Sequence, residues 1–513
     1  MTKLGASLAP SSSAAEEQVT QKQDEVSATT INTENERGYS FFDAILRPER
    51  ILQIGILGLS THLAYNKYYN MDAEHMEIMQ MGLVATAAII VGIYSSFKAS
   101  RQNPDVLPDF NSIYLIFIPL MMSLLFDKDN APANVAFVTN CLQMSPFYRL
   151  PMQMIFIALH TVNYSFEEKW SYIAAVPINY LIYQTLAKIS CLKSLDKIDC
   201  SLFSILLTNV LYLNTSDLLC FQVLQKTFTA FVIVVVINSA VSFLTRDMSN
   251  GVIRSMLLFS VFLVGFPLGI KKLLSIEGKD PLVWIIDYII GSKVRQTILF
   301  TWLGSLVFLI PNLLIFKSNF TLNTSRKVWH FLILILISYP FTLDPEFVKI
   351  SLSGTIVLFL CVEYLRYLKL EPFGEFLDSR LRSFADFRDD KGPLIISYIY
   401  LIVGIATPLL ISNSPVGLIG LGVGDSLASI VGSKWGRTAW PGTGKTVEGT
   451  SAFIVSTFLV SVIFKQYLGY FKEISSLNLI LTCTLSGVLE GNSLLNDNIL
   501  IPAFMLVAEH ILS

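Results

Sequence analysis

Gly417–Thr450, GLIGLGVGDSLASIVGSKWGRTAWPGTGKTVEGT, is the stretch around which the chain is organised. Its first half is apolar and rich in glycine, with a single acid, Asp425, among uncharged residues. Ser433–Val447 then carries three cations and three glycines without an acid, and Glu448 follows. Exposed backbone N–H groups and cations both favour a bound polyphosphate. A buried acid, a basic loop and a second acid are together what metal-assisted phosphoryl transfer requires.

The composition indicates a polytopic membrane protein. Of the 513 residues, 53% are hydrophobic and only 15% are charged, whereas soluble domains carry roughly 25% charged residues. Apolar runs of about 20 residues recur along the chain. We predict an all-α fold, a polytopic helical membrane protein with roughly fifteen transmembrane spans. The six cysteines lack metal-ligand spacing, so zinc is not expected. The expected surroundings are the lipid bilayer, and no nucleic-acid partner is expected.

Three regions follow from the distribution of polar residues. Residues 1–45 are rich in Ser, Thr, Gln and Glu, and they predict a disordered tail on the cytosolic or lumenal side. Residues 46–317 form successive apolar runs and predict an N-terminal transmembrane region. Residues 318–513 carry clustered ionisable residues and predict a catalytic transmembrane domain. The few polar residues inside the N-terminal runs are expected to be contacts between helices: His160, Asn179 and Asn238.

Four hydrophilic patches of the last region are predicted to share one side of the membrane. They are the segment before Val328, then Arg366–Gly392, Ser433–Gly449 and Glu490–Asn498. Two apolar runs separate each patch from the next, which returns the chain to the same side each time. The first three patches are basic, and by the positive-inside rule this side is cytosolic.

Asp425 is predicted to be a carboxylate at a span end that coordinates a metal ion or phosphate. An unpaired carboxylate at membrane depth costs several kcal/mol, and the neighbouring glycines, Gly424 among them, make room for a ligand. Ser426 could add an oxygen contact or simply pack as a small residue. The alternative is that Asp425 is a helix-terminus acid or one half of a buried ion pair.

The loop AWPGTGKT, Ala439–Thr446, nearly matches a phosphate-binding P-loop. That motif needs a glycine where Ala439 stands, and it follows a strand, so a P-loop fold is rejected. The loop can still bind phosphate, because its glycines leave backbone N–H groups accessible and Lys445 provides a positive charge. The alternative is that the loop is basic only because cytosolic loops of membrane proteins carry an excess of Lys and Arg. The predicted nucleotide contacts in the loop and before it are Gly424, Ser426, Lys434, Arg437, Gly442, Thr443, Gly444, Lys445 and Thr446.

Three further groups of residues each have a functional and a structural interpretation. Thr446 and Glu448 fit a helix start, although Glu448 beside Lys445 also suits a catalytic or metal-binding role. In Ser325–His330, SRKVWH, the side chains are candidates for phosphate binding or proton transfer, or for anchoring at the membrane interface: Arg326, Lys327 and His330. In Glu490–Asn498, EGNSLLNDN, the candidate oxygen ligands are Glu490, Asn496, Asp497 and Asn498. Among all of these, Asp425 and Asp497 are the predicted metal ligands.

These motifs resemble the dolichol kinase family, and more loosely the polyprenol and phytol kinases. The resemblance rests on SRKVWH, GVGDSLASIVG, GKTVEGTSAF and EGNSLLNDN in this order. It covers the last 200 residues. It implies transfer of phosphate from CTP to the terminal hydroxyl of dolichol, which gives the dolichyl phosphate used in protein glycosylation. It also implies the cytosolic face of the endoplasmic reticulum membrane, and CTP binding by the loop around Lys434–Gly449.

The predicted mechanism is an in-line attack of the dolichol hydroxyl on the γ-phosphorus of CTP. A divalent cation, Mg²⁺ or another, is held by Asp425 together with Asp497 or Glu490. Lys445 neutralises developing charge, and Asp425 or Glu448 takes the hydroxyl proton. Two other classes remain open. One is a phosphatidate cytidylyltransferase, which releases pyrophosphate. The other is an ion transporter, which would carry acids in the middle of its spans.

Overall fold

The computed structural model describes residues 130–141, 145–190, 197–214, 216–248, 250–316, 322–370, 374–382, 394–440, 443–493 and 496–513. Within these ranges the chain is helical, with two isolated β-bridges and no strand, which confirms the all-α prediction. The predicted tail 1–45, the predicted domain boundary at 317/318 and Gly442 lie outside the described residues.

Eight helices are described before the candidate site. They are α1 (Ala131–Val138), α2 (Pro146–His160), α3 (Phe166–Ser190), α4 (Lys197–Thr208), α5 (Leu219–Leu244), α6 (Gly251–Leu273), α7 (Pro281–Ile290) and α8 (Lys293–Phe316). A 3₁₀ turn, Thr139–Cys141, follows α1, and a π-helical turn, Asn209–Leu213, extends α4.

The predicted catalytic region, from residue 318 on, adds the remaining described helices. They are α9 (Leu322–Leu343), α10 (Pro345–Tyr367), α11 (Gly374–Arg382), α12 (Ser397–Ser412), α13 (Val416–Ile419), α14 (Ser426–Trp435), α15 (Val447–Ile463), α16 (Ser476–Asn492) and α17 (Asp497–Leu512). A π-helical segment, Gly420–Asp425, joins α13 to α14. These three parts make one continuous helix, Val416–Trp435, which we call the central helix. A second π-helical turn, Phe464–Leu468, extends α15.

Five of the described helices are long and apolar enough to cross a membrane. They are Leu219–Leu244, Gly251–Leu273, Pro345–Tyr367, Val416–Trp435 and Val447–Leu468. The protein is therefore a multi-pass membrane protein, and the count of about fifteen spans stays a prediction. The five differ in burial: 17% of the apolar stretch of Gly251–Leu273 is buried, against 61% of that of the central helix. The central helix is thus an interior element, whereas α5 and α6 present large apolar side chains outward.

Polar contacts join the first four described helices, and Gln153 brings in α2 by donating to Ala136 O at 3.1 Å. Of the three polar residues predicted to bond between helices, Asn179 does so. The prediction is wrong for His160, which is exposed and lies 2.9 Å from Phe156 O of its own helix. Asn179 of α3 donates to Thr208 Oγ1 at 3.0 Å and accepts from Asn140 at 3.0 Å. Asn134 and Asn209 exchange side-chain hydrogen bonds at 2.6 and 3.0 Å. Such bonds contribute on average about 0.6 kcal/mol each between membrane helices. This region therefore uses its carboxamides for packing.

The central helix is enclosed by the other helices of the catalytic region. Its π-helical segment packs against α9 on one side and α15 on another, and α17 also contacts it. α16 lies against both α15 and α17. Each loop that carries a predicted site residue therefore begins or ends on a helix of this one bundle.

Helix starts in this bundle follow ordinary capping rules. Asp344 accepts from Phe347 N–H at 3.0 Å to begin α10, and a proline occupies the first position of that helix. Thr446 begins α15 by accepting from Gly449 N–H at 3.1 Å. The glycine run of the central helix relaxes into π-helical turns, which occur frequently at functional sites.

Candidate active site

The basic loop between the central helix and α15 folds back on itself. The Trp440 N–H donates to Lys445 O at 2.9 Å, and the Val447 N–H donates to Thr438 O at 2.8 Å. These bonds hold the two arms of the loop together. Lys445 is therefore carried on a fixed arm next to the start of α15.

Lys445 binds both acids of the α16–α17 connection. Its Nζ lies 2.8 Å from Glu490 Oε1 and 2.7 Å from Asp497 Oδ2, and it donates to Glu490 O at 2.8 Å. Burial alone would lower the pKa of Lys445, but the charges of Asp497 and Glu490 outweigh burial and raise it. The lysine is therefore charged at neutral pH. The structure brings together three residues that the sequence placed on two separate loops.

The two loops are also joined by contacts that sequence reasoning missed. Thr443 Oγ1 donates to Gly491 O at 3.0 Å, and Trp440 Nε1 donates to Thr450 Oγ1 at 2.8 Å. A Cβ atom on Gly491 would lie 2.5 Å from Trp440 Nε1. The only signals in the sequence were a tryptophan in a loop of small residues and the glycine directly after Glu490. Trp440 and Gly491 therefore set how closely the basic loop approaches the α16–α17 connection.

Asp425 forms a second buried cluster with two residues of α9. Lys327 Nζ donates to Asp425 Oδ2 at 2.6 Å, and His330 Nδ1 lies 3.3 Å from the same oxygen. His330 Nδ1 is also 3.2 Å from Leu421 O of the central helix. Lys327 and His330 are both buried. The alternative interpretation of Asp425 as half of a buried ion pair is thus observed, and Lys327 and His330 belong to the site rather than to a membrane anchor.

The prediction that Asp425 stands at a span end is wrong. The helix continues from Ser426 to Trp435, so Asp425 lies near the middle of a candidate span. The reason is that the residues after Asp425 remain apolar enough to stay helical. A further acid, Glu509, pairs with Ser414 at the opposite end of α17 from Asp497. Asp425 therefore lies where a transporter is expected to carry an acid, and the placement of the acids does not by itself exclude that class.

The glycines around Asp425 accommodate neighbouring helices. A Cβ on Gly424 would lie 2.6 Å from both Phe453 and Thr457 of α15. A Cβ on Gly422 would lie 2.9 Å from Leu334 Cβ of α9. Close backbone approach is the usual role of small residues between membrane helices. Gly424, a predicted nucleotide contact, therefore serves helix packing in this structure.

The other predicted nucleotide contacts occupy varied positions. Ser426 is fully buried, and its hydroxyl donates to Leu421 O at 3.4 Å. Lys434, Arg437 and Gly444 are exposed to solvent. Exposed cations suit the approach of an anion, whereas the Ser426 hydroxyl is directed to its own helix.

Glu448 has a defined partner at the start of α15. It accepts from the Thr438 N–H at 3.2 Å and from the Thr438 hydroxyl at 3.1 Å. Both partners are neutral, and the group is partly exposed. Together with the Thr446 cap this matches the helix-start interpretation, and it leaves the carboxylate without a cationic partner in any ion pair between described residues.

The remaining candidates take supporting positions. Asn496 caps α17 by accepting from the Asn498 N–H at 3.1 Å, which orients the Asp497 carboxylate beside Lys445. Arg326 lies in the first turns of α9, next to Lys327.

One residue of α15 packs beside both lysine clusters. Phe453 lies against Gly424, next to Asp425, and against Gly487 of α16, three residues before Glu490. The two clusters therefore lie on elements that pack against the same residue of α15.

The carboxylates of the site fit a magnesium ion only in combination with phosphate. Among the described residues, no three His, Cys, Asp or Glu side chains converge as a metal-binding group. The oxygens of Asp425, Asp497 and Glu490 are hard donors of the type Mg²⁺ prefers, and Mg²⁺ is commonly held by one or two carboxylates plus substrate phosphates. The donor set therefore suits a metal ion that arrives with a nucleotide.

Known proteins are similar to this chain over most of its length. A family model described as the dolichol kinase N-terminal domain matches residues 9–215. A dolichol kinase from Saccharomyces cerevisiae is 45% identical over 447 residues, which cover 86% of this chain and 84% of that protein. The family-model match lies largely in the predicted N-terminal transmembrane region, residues 46–317, whose sequence offers no candidate catalytic residue.

More distant relatives match about half of the chain. A dolichol kinase from Schizosaccharomyces pombe is 36% identical over 259 residues, or 45% of this chain and 50% of that protein. A dolichol kinase from Mus musculus is 28% identical over 257 residues, or 45% of this chain and 48% of that protein. No solved structure matches the chain.

Proposed function

This chain belongs to the dolichol kinase family, and from that premise we propose that it transfers the γ-phosphate of CTP to the terminal hydroxyl of dolichol. Family membership follows from the 45% identity to a dolichol kinase over 86% of the chain. The kinase reaction is the activity that the name of that relative states. The use of CTP, the metal ion and the residue roles are the parts that we add.

The position of Lys445 is the observation that best supports a nucleotide site. Lys445 is a charged amine on a fixed arm of a glycine-rich loop, between two carboxylates. Two exposed cations, Lys434 and Arg437, stand on the same loop and would attract a polyphosphate. In the reaction Lys445 neutralises charge on the transferred phosphoryl group, where a fixed cation stabilises the transition state.

Asp425 and Asp497 are the proposed metal ligands, with Glu490 beside them. A bound Mg²⁺ would supply Lewis-acid polarisation of the phosphate oxygens. The protein's part is to hold the carboxylates apart from bulk water, on the central helix and at the start of α17.

Glu448 is the proposed proton acceptor. Asp425 is bound to the charged Lys327 at 2.6 Å, which weakens it as a base. The groups that donate to Glu448 among the described residues, those of Thr438 included, are neutral, although their hydrogen bonds too stabilise the charged form of Glu448. The hydroxyl oxygen of dolichol forms a bond to the γ-phosphorus as the bond to the β,γ-bridging oxygen breaks. Glu448 takes the hydroxyl proton, and CDP leaves.

The proposed location is the endoplasmic reticulum membrane, with the site on the cytosolic side. Three of the four hydrophilic patches are rich in Lys and Arg, which the positive-inside rule counts for cytosolic segments, although Arg366–Gly392 carries as many acids as cations. A lipid alcohol could reach the site from the bilayer, while CTP is available in the cytosol. Dolichyl phosphate for protein glycosylation is the expected product.

Label transfer in membranes tests this function. Membranes carrying the wild-type chain or an Asp425→Ala variant receive dolichol, Mg²⁺ and CTP labelled at the γ-phosphate, with γ-labelled ATP in parallel. We expect label on dolichol from CTP with the wild type and almost none with the variant. Labelled pyrophosphate instead of labelled lipid would support a cytidylyltransferase. Absence of label from either nucleotide, with folded protein present, would reject the kinase.

A further inference from the structure

Two lysines of the site, the buried Lys327 and the partly exposed Lys445, hold the same carboxylates that the proposed reaction assigns to a metal ion. Lys327 Nζ lies 2.6 Å from Asp425 Oδ2, and Lys445 Nζ lies 2.7 Å from Asp497 Oδ2. Each pair joins different elements: α9 to the central helix, and the basic loop to α17. Both proposed metal ligands therefore already have a cation.

We propose that the metal–CTP complex binds by exchanging these ion pairs. Lys327 and Lys445 pass from carboxylates to phosphate oxygens, and Asp425 and Asp497 pass from ammonium groups to the divalent cation. This inference rests on the proposed function, because it takes CTP and a divalent cation as the ligands. It adds Lys327 as a second phosphate-binding lysine. It also makes the affinity for CTP and the affinity for the divalent cation depend on each other.

Each ligand alone meets a site of unfavourable charge. CTP without a metal ion would approach Asp425, Glu490 and Asp497 while both lysines are still engaged. A divalent cation alone would have to displace two ammonium groups from oxygens less than 3 Å away. When both arrive together, every charge keeps an opposite partner, so little unpaired charge is buried.

The pairs lie on elements that pack together. Gly424, next to Asp425, and Gly487, three residues before Glu490, both lie against Phe453 of α15. Glu490 Oε1 also binds Lys445, at 2.8 Å, so this carboxylate remains to share the charge of Lys445 or to join the metal ion. The exchange requires that one nucleotide triphosphate reaches both lysines.

Equilibrium binding of labelled CTP to the purified full-length protein tests the exchange. For the wild type we expect affinity to fall by roughly 10-fold to 100-fold when Mg²⁺ is replaced by a chelator, the usual range of coupling between two ligands. In Asp425→Asn, Lys327 is released from its carboxylate. Metal-free CTP should then bind about tenfold more tightly than it does to the wild type, while binding with Mg²⁺ weakens.

Asp344→Asn is the matched control. It removes a carboxylate that lies 2.7 Å from Arg295, close to the 2.6 Å of the Asp425–Lys327 pair, in a partly exposed ion pair. Asparagine also caps helices well, so α10 keeps its N-terminal cap. CTP binding with and without Mg²⁺ should equal that of the wild type.

Lys327→Met provides a second measurement that does not depend on Asp425→Asn folding. Removal of the lysine releases Asp425, so Mn²⁺ measured by electron paramagnetic resonance without nucleotide should bind about tenfold more tightly than to the wild type. An ion pair that serves only the fold would predict weaker Mn²⁺ binding or no change.

Two results would overturn the exchange: equal CTP affinity of the wild type with and without Mg²⁺, or weaker metal-free CTP binding by Asp425→Asn. Either can occur while the wild type still labels dolichol from CTP, and then the function stands without the exchange. Failure of the function itself would appear as absence of label transfer.

Discussion

Lys445 ties the basic loop to the α16–α17 connection through three oxygens of two residues. Removing one partner of a buried ion pair typically costs about 3–5 kcal/mol, because the charge left behind is uncompensated. The same ammonium group is the proposed phosphate contact. Its structural and chemical roles therefore have to be separated by experiment.

Lys445→Met should lower kcat/KM for CTP by about 100-fold to 1000-fold, the usual loss of a transition-state charge contact. The variant should also be less stable, because Glu490 and Asp497 keep their charges without a cation. Steady-state kinetics and thermal unfolding in detergent measure the two effects.

The double variant Lys445→Met/Asp497→Asn tests the structural role of Lys445, although it also removes a proposed metal ligand. Removing one of the two uncompensated carboxylates should recover much of the lost stability but none of the activity. Recovery of wild-type kcat/KM in the double variant would mean that Lys445 acts only as a structural tie.

Glu448→Gln should lower kcat by about 100-fold while KM for CTP changes little, since a general base contributes roughly 100-fold to 10,000-fold. Glutamine still accepts from the Thr438 N–H, so the start of α15 is preserved. Thr438→Val is the control, because it removes only the hydroxyl bond to Glu448 and should keep most activity. Nearly normal turnover by Glu448→Gln would assign the residue to the helix start alone.

At the scale of elements, glycines determine how closely helices and loops approach. Gly424 lets α15 pack on the central helix, and Gly491 lets Trp440 and the basic loop reach α16. A methyl group at either position would displace its neighbour by a substantial fraction of an ångström or more. Such displacement matters in a site, because phosphoryl transfer depends on alignment.

Gly491→Ala should therefore lower kcat/KM at least tenfold without unfolding the bundle. The added Cβ would lie 2.5 Å from Trp440 Nε1, so the loop has to move away. Gly354→Ala in α10 is the matched control, since no described atom lies within 4 Å of its added Cβ. Activity and thermal unfolding are measured for both. Equal activity of the two variants would show that loop position is not limiting.

At the scale of the whole molecule, the loops with site residues meet at one end of the bundle. The basic loop contacts the α16–α17 connection, and the first turns of α9 contact the central helix. α17 then runs from Asp497 to Leu512, about 24 Å at 1.5 Å per residue. The C-terminal Ser513 is thereby carried away from the site.

Cysteine labelling in sealed microsomes tests this orientation. In Arg437→Cys the thiol should react with a membrane-impermeant maleimide added outside, because the cytosolic face of microsomes is exposed. In Ser513→Cys it should react only after the membrane is permeabilised. The wild type gives the background, and four of its thiols are buried: Cys200, Cys220, Cys361 and Cys483. Outside labelling of both variants would contradict the predicted span parity.

The sequence alone was sufficient for the fold class and for the kinase family. Apolar runs predicted an all-α membrane protein, since helices satisfy their own backbone in lipid. The cations and glycines of Ser433–Val447 predicted an anion-binding loop, because such residues favour an anion without help from distant parts of the chain. The N-terminal region gave no comparable signal. Its carboxamides are sparse in sequence and become a network only when four helices pack.

Only the tertiary structure decided which charges meet. Lys327 and Asp425 are 98 residues apart, and Lys445 and Asp497 are 52 apart, so no local pattern could pair them. It also placed Asp425 near the middle of a span, and it assigned Gly424 to packing against α15. Residue types determine the chemistry that is available, whereas the distances that select a partner for each charge arise only when distant helices pack together.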